Sequence, residues 1–175
     1  HLKTNLKDLA NHYHACYQDT QQDEDKPANF QEALHWYQGF LTSFPRDTES
    51  PAINYHLADL LLENQSFGAA AVEFEMTAYG YSPHEKSSEA GYAAVFAHRK
   101  HLGTVAPKNR DMVKREVVRS SLKFTDTFPE HEKAAIVLGA AVDDLYGMKE
   151  YEHALAAANK LLDVFPDTDI IVVRS

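Results

Sequence analysis

The chain has 175 residues, with 26 acidic against 17 basic side chains and a formal charge of −9. Hydrophobic residues at 44% and charged residues at 25% are ordinary globular proportions, which exclude a disordered tail or a collagen-like fibre. No apolar run approaches the roughly 18 residues of a membrane span, and the single cysteine excludes an intramolecular disulfide or a cysteine-rich zinc site. Net acidity also argues against general nucleic-acid binding. One domain over 1–175 is expected at this length, with enough chain to bury a core. The start on His1 and the stop just after Ile170-Ile171-Val172-Val173 read as a piece cut from a longer protein.

Helical spacing predicts eight helices, over 2–18, 29–44, 51–64, 67–80, 85–102, 108–128, 131–147 and 150–165. Ile53, Leu57, Ala58, Leu61 and Leu62 illustrate it, falling on one stripe at a period of 3.6. Pro27, Pro45, Pro51, Pro83, Pro107, Pro129 and Pro166 lie between these runs, where proline starts or stops a helix without breaking one. No segment alternates apolar and polar residues long enough for a strand. The expected class is all-α.

Three segments end alike, on Phe44-Pro45, Phe128-Pro129 and Phe165-Pro166. A shift of 84 residues overlays the first on the second, and also Ala70 on Ala154, Phe67 on Tyr151, Leu61 on Leu145 and Asp59 on Asp143. The chain thus reads as two copies of an 84-residue unit, each holding two helix pairs. Small residues such as Ala58 and Ala70 let paired helices approach, while Leu57, Leu61, Phe67 and Phe74 fill the space beside them. One pair cannot bury both of its faces, so pairs are expected to stack as an α-solenoid of antiparallel helix pairs.

Here the sequence resembles the tetratricopeptide repeat (TPR) family. Asn29-Phe-Gln-Glu-Ala33-Leu-His-Trp-Tyr37-Gln-Gly-Phe40 is similar to the second helix of that repeat, closing on Pro45. Ser66 to Phe74 and Glu150 to Ala158 follow the same pattern, and Leu9-Ala10, Leu57-Ala58, Tyr92-Ala93 and Ala141-Val142 stand in first helices. The resemblance implies about four repeats, over 2–45, 51–83, 85–129 and 131–166, with 167–175 beginning a further helix. Leu6, Asn54, Ser88 and Leu138 replace the family's early Trp. Copies one and three also carry about 11 extra residues each, expected as insertions projecting from the inter-helix turns.

The resemblance implies a non-enzymatic scaffold that binds a partner protein or peptide in a concave groove. Its lining positions would be Lys7, Asn11 and His14, then Tyr55, Asp59 and Leu62, then Ala90, Ala94 and Ala97, then Gly139, Asp143 and Tyr146. Lys7 and Asn11 resemble part of the clamp with which some TPRs hold an acidic C-terminus, but His56, Ser87 and Gly91 depart from its remainder. Tyrosines, small residues and two equivalent aspartates better suit a segment with apolar and basic character. The Phe-Pro endings are also similar to those of bacterial cell-envelope TPR proteins, which implies envelope assembly and a periplasmic or envelope location over a cytoplasmic one. The alternative is an accessory TPR domain of a larger enzyme or secretion protein.

Outside the groove, Arg99, Lys100, Lys108, Arg110, Lys114, Arg115 and Arg119 face only Asp111 and Glu116 over 98–119, a local charge of +5 in an acidic chain. Such a patch suits an acidic partner or anionic surface, and reads otherwise as a solvated helix face. No aromatic platform interleaves with it, so no nucleic-acid role is expected. The ten histidines form no ligand set: His12 and His14 diverge on a helix, and His98 and His101 lack a third partner. No phosphate loop, His-Glu-x-x-His pair or nucleophile elbow is present. Cys16 reads as a buried, inert thiol. No catalytic residue, metal or cofactor is expected. A cut repeat end would leave an apolar face through which copies of the chain could associate.

Overall fold

The computed structural model describes residues 1–166. Eight α-helices form among the described residues: α1 (Leu2–Gln18), α2 (Lys26–Ser43), α3 (Ser50–Glu63), α4 (Phe67–Tyr79), α5 (Ser87–Thr104), α6 (Arg110–Thr127), α7 (Ala134–Gly147) and α8 (Tyr151–Val164). Short 3-10 turns lie at Thr20–Asp25 and Pro107–Asn109, and no strand occurs among the described residues. The fold is all-α, as the periodicity requires. The further helix expected over 167–175 lies outside the described residues.

Proline sets several helix ends. Pro27 and Pro51 sit in the first turns of α2 and α3, where the missing N–H is one of the helix's unsatisfied donors anyway. Phe44, Phe128 and Phe165 each precede a proline, whose ring disfavours the α region for the residue before it. All three take one conformation, with φ −133°, −127° and −125° and ψ 60°, 58° and 62°. In each the N–H still donates to the carbonyl four residues back, so the helix closes at the same point.

The 84-residue shift holds in the backbone. After α3, Ser66 N–H donates to Leu61 and Gln65 N–H to Leu62; after α7, Glu150 donates to Leu145 and Lys149 to Tyr146. This double hydrogen bond is the Schellman ending, with the penultimate residue in the left-handed region. Before α3, Asp47 Oδ1 accepts from Glu49 N–H; before α7, His131 Nδ1 accepts from Lys133 N–H at the equivalent place. Different side chains perform one turn.

The helices pack with their neighbours in sequence and divide into two compact units, His1–Ala97 and His98–Ser175. In the first, α1 pairs with α2, α2 with α3 and α3 with α4. Its core joins Leu6, Phe40, Leu57, Leu61 and Phe74 around the fully buried alanines Ala10, Ala33, Ala58 and Ala70. Burial of each large side chain contributes roughly 1.5–3 kcal/mol, and the alanines permit the close approach that makes it possible. In the second unit, α6 packs on α7 and α7 on α8, around Val118, Leu138, Leu145, Ala154 and Leu161.

The extra residues of the first copy do not project as a loop. They lengthen the helices: α1 and α2 have 17 and 18 residues against 14 and 13 in α3 and α4. The remainder is the 3-10 turn, which packs against both α1 and α2 and whose entry is fixed by Asp19 accepting Gln21 N–H at 2.9 Å. In the third copy α5 and α6 are likewise 18 residues each.

Candidate functional site

Three helices of the first unit converge on a polar cluster. His14, on the inward face of α1, is buried among Tyr37 from α2 and Glu63 from α3. Its Nδ1 lies 2.7 Å from the Tyr37 hydroxyl and its Nε2 lies 3.2 Å from Glu63 Oε1. In the neutral ring one arrangement satisfies both contacts: Tyr37 O–H donates to Nδ1, and Nε2–H donates to the carboxylate. Tyr37 also stands 3.4 Å from Asn11 Oδ1, and the side-chain amide of Gln18 donates to both oxygens of Glu63 at 3.0 and 3.1 Å. The His14 and Tyr37 rings meet edge to face, 5.7 Å apart.

One turn from Glu63, and on the same face of α3, stand Asp59 and then Tyr55. Burial, and next the charge of Glu63, push the Asp59 carboxyl up to about 6, against a smaller opposing effect of Lys86. The Asp59 carboxyl makes no hydrogen bond among the described residues. Burial, followed by the charges of Glu63 and Asp59, holds the Tyr37 phenol well above its ordinary value, so it remains a neutral donor. Tyr55 is raised by burial, then by Asp59 and Glu89. Its ring rests edgewise on Phe74 at 5.6 Å and carries Lys86 Nζ over it at 5.9 Å. His56 is lowered by the burial of its ring first, with the positive charges of Lys7 and Lys86 acting the same way.

Asn11, His14, Tyr55 and Asp59 are thus gathered in one unit. Lys7 sits on the same helix, but its ammonium is held by Glu49 at 2.5 Å, while Lys3 binds Asp47 at 3.1 Å. These pairs tie the start of α1 to the turn before α3. Leu62 packs against the core. Ala90, Ala94 and Ala97, expected to line the groove, are instead fully buried in the core of the first unit, and Gly139 is buried within α7. Small size at these positions serves close packing.

In the second unit Asp143 is exposed, and Tyr146 is exposed with its ring against Tyr151 at 5.3 Å. The 84-residue equivalents of Asn11, Tyr37 and Glu63 are Val95, Ser121 and Gly147. His14 and Asp59 recur as His98 and Asp143, but the set of partners around them, Asn11, Tyr37 and Glu63, is found in the first copy and not at the equivalent places of the second.

The basic stretch 98–119 is answered largely within the fold. Arg99 donates to Asp144 at 2.8 Å, Arg115 reaches Asp111 and Glu150 at 3.4 Å each, and Arg119 binds Glu116 at 2.8 Å. Arg110 donates to the Leu102 carbonyl at 3.4 Å, while Lys108 is exposed and Lys114 half-buried. Beside Arg115 and Arg119 a trough of about 540 Å³ opens between α6 and α8 over the end of α7.

Cys16 is half-exposed, in contrast to the buried thiol expected, with Sγ 3.7 Å from His12 Nε2 one turn earlier. Among the described residues no three His, Cys, Asp or Glu side chains gather as a metal-binding group, and no helix is long and apolar enough to cross a membrane. No protein-family model matches the sequence, and no curated protein matches it as a relative.

Proposed function

We propose that the chain is a protein-interaction scaffold built of TPR-like pairs, stacked as an α-solenoid within each unit. Its first unit takes a partner segment along α1 and α3. The observation that carries this reading is the state of Asp59. A half-buried carboxylate beside Glu63, without a hydrogen bond among the described residues and pushed up to about 6, sits among groups already fixed by one another. A lysine or arginine from a partner would add to the small counter-charge that Lys86 supplies, and the Tyr55 ring nearby would cover apolar parts of the same segment.

The contrast between copies supports it. Residues that only pack keep their character across the 84-residue shift, as Phe40 and Phe124 or Ala70 and Ala154 do. Asn11, Tyr37 and Glu63 do not, so although His14 and Asp59 recur as His98 and Asp143, the partners that surround them are particular to the first copy. The one hydroxyl beside a base, that of Tyr37 on His14, belongs to a fully buried side chain, so the groups the cluster offers a partner are those of recognition.

The test is fluorescence anisotropy with two labelled peptides, one carrying arginine among leucines and one carrying glutamate at the arginine positions. The arginine peptide should bind the whole chain more tightly than its acidic counterpart. Asp59→Asn should weaken it about tenfold while leaving the helical circular dichroism intact. Equal binding of the arginine peptide to wild type and D59N would refute this reading.

A further inference from the structure

We propose that Lys86 is a built-in stand-in for the partner's cation: it rests on the Tyr55 ring where an arginine of the partner seats, and it yields that place when the segment binds. The inference deepens the reading of the first unit and rests on it.

The turn before α5 repeats the turn before α3. Asp47 Oδ1 accepts Glu49 N–H at 2.9 Å, and His84 Nδ1 accepts Lys86 N–H at 3.2 Å. Ser50 N–H then donates to the Asp47 carbonyl, and Ser87 N–H to that of His84. Glu49 and Lys86 thus hold one position of the turn, 37 residues apart. Each reaches back to the first helix of the preceding pair, Glu49 to Lys7 on α1 and Lys86 to Tyr55 on α3. The residues they reach are matched as well, each being the sixth of its helix.

The two closures differ in strength. Glu49 meets Lys7 at 2.5 Å, and Lys3 joins the same carboxylate at 3.4 Å. Lys86 Nζ stands 5.9 Å from the centre of the Tyr55 ring, close to the ~6 Å reach of a cation–ring attraction. It also pairs with Glu89 at 3.3 Å, but both side chains are exposed, and such a pair contributes little in water. The flexible four-carbon stem lets this ammonium swing into solvent at small cost. The start of α1 is therefore tied to the turn behind it, whereas Tyr55 carries a contact that opens.

Charge decides what opens it. The Asp59 carboxyl feels Glu63 more strongly than it feels Lys86, so the resident ammonium leaves these acids under-compensated. An incoming cation is drawn to the same acids and repelled by Lys86 while that side chain stays. An arginine displaces it better than a lysine does, because the planar guanidinium stacks on an aromatic face and is more weakly hydrated. A lysine would only replace like by like.

The arginine-and-leucine peptide described above, and the same peptide with lysine for arginine, test this by anisotropy at about pH 8, where the Asp59 carboxyl is ionised. Lys86→Met keeps the stem and removes the charge. It should bind the arginine peptide about three- to fivefold more tightly than wild type, and the gain should shrink at about 1 M salt. Lys86→Arg, which restores a cation, should bind it no more tightly than wild type. The lysine peptide should bind wild type more weakly than the arginine peptide. Without any peptide, carbon-detected NMR should find the Asp59 carboxyl of Lys86→Met titrating at higher pH than in wild type. If D59N weakens the arginine peptide but Lys86→Met does not strengthen it, this proposal falls and the first-unit reading stands; if D59N has no effect, both fall. An Asp59 titration that Lys86→Met leaves in place, or a lysine peptide that binds as tightly as the arginine one, also overturns the proposal.

Discussion

Gln65 and Lys149 stand 84 residues apart and share one left-handed backbone conformation, with φ of 60° and 63°. Each is the turning residue between two helices of a pair, and each places the following N–H on the carbonyl five residues back. A side chain in this region crowds its own backbone, which glycine avoids. Gln65→Gly and Lys149→Gly are therefore expected to raise stability by about 0.5–1 kcal/mol each. Urea unfolding of the two variants checks this, and a loss at either site would mean that its side chain does something for the fold.

Asn54 is a buried polar residue with a leucine, Leu138, at the equivalent place of the other copy. Its amide donates to the Glu73 carboxylate at 2.6 Å and lies 3.2 Å from the Glu73 carbonyl, and it accepts from Tyr81 O–H at 2.9 Å. Asn54→Leu fits sterically but strips partners from half-buried groups. The expected cost is about 1–3 kcal/mol, read from thermal melts; pairing it with Tyr81→Phe should recover part of the loss.

Ala70 and Ala154 occupy equivalent helix contacts, one fully and one almost fully buried. Enlarging either to leucine is expected to cost about 1–3 kcal/mol by overpacking. Ala70→Leu should be the worse, because no part of that side chain reaches solvent. Melts of both variants that superimpose on wild type would remove these residues from the contacts.

The raised Asp59 carboxyl also makes stability depend on pH. A group that binds its proton more tightly in the folded than in the unfolded state favours folding while protonated. That contribution fades as pH rises from about 4 through about 6. Asp59→Asn is thus expected to gain on wild type between pH 4 and 7, by on the order of 1 kcal/mol once solvent screening is allowed for. Asp47 and Glu49 act oppositely. Asp47 is lowered first by the Glu49 N–H and then by Lys3, and Glu49 first by Lys7, so their contribution is lost on acidification. Melting temperatures of wild type and D59N across that range separate the two effects, and a constant difference would discount the Asp59 shift.

Most of the architecture was legible in the sequence because its causes are local. Proline after Phe44, Phe128 and Phe165 forbids helix there whatever the surroundings, and the 84-residue recurrence of small and large residues marks the pairs. The polar cluster was legible only in part. Asn11, His14 and Asp59 follow from their places on α1 and α3, but Tyr37 reads as an ordinary aromatic of α2. Glu63 gave no signal, since it meets His14 across 49 residues of chain. Lys7 looked available for a ligand because nothing local reveals that Glu49, 42 residues away, holds it. The extra residues of the first copy looked like loop for a related reason. Length alone does not distinguish a longer turn from longer helices, and α1 and α2 have the composition to continue.

The matched endings have a consequence for how such a chain can change over generations. Phe44-Pro45 and Phe128-Pro129, like Gln65 and Lys149, offer the same junction at two places in one sequence. A misaligned genetic exchange between those places inserts or deletes 84 residues and leaves every turn with its own chemistry. Length is then free to grow or shrink in whole steps, while the residues that distinguish one copy, such as Tyr37 against Ser121, drift toward separate tasks.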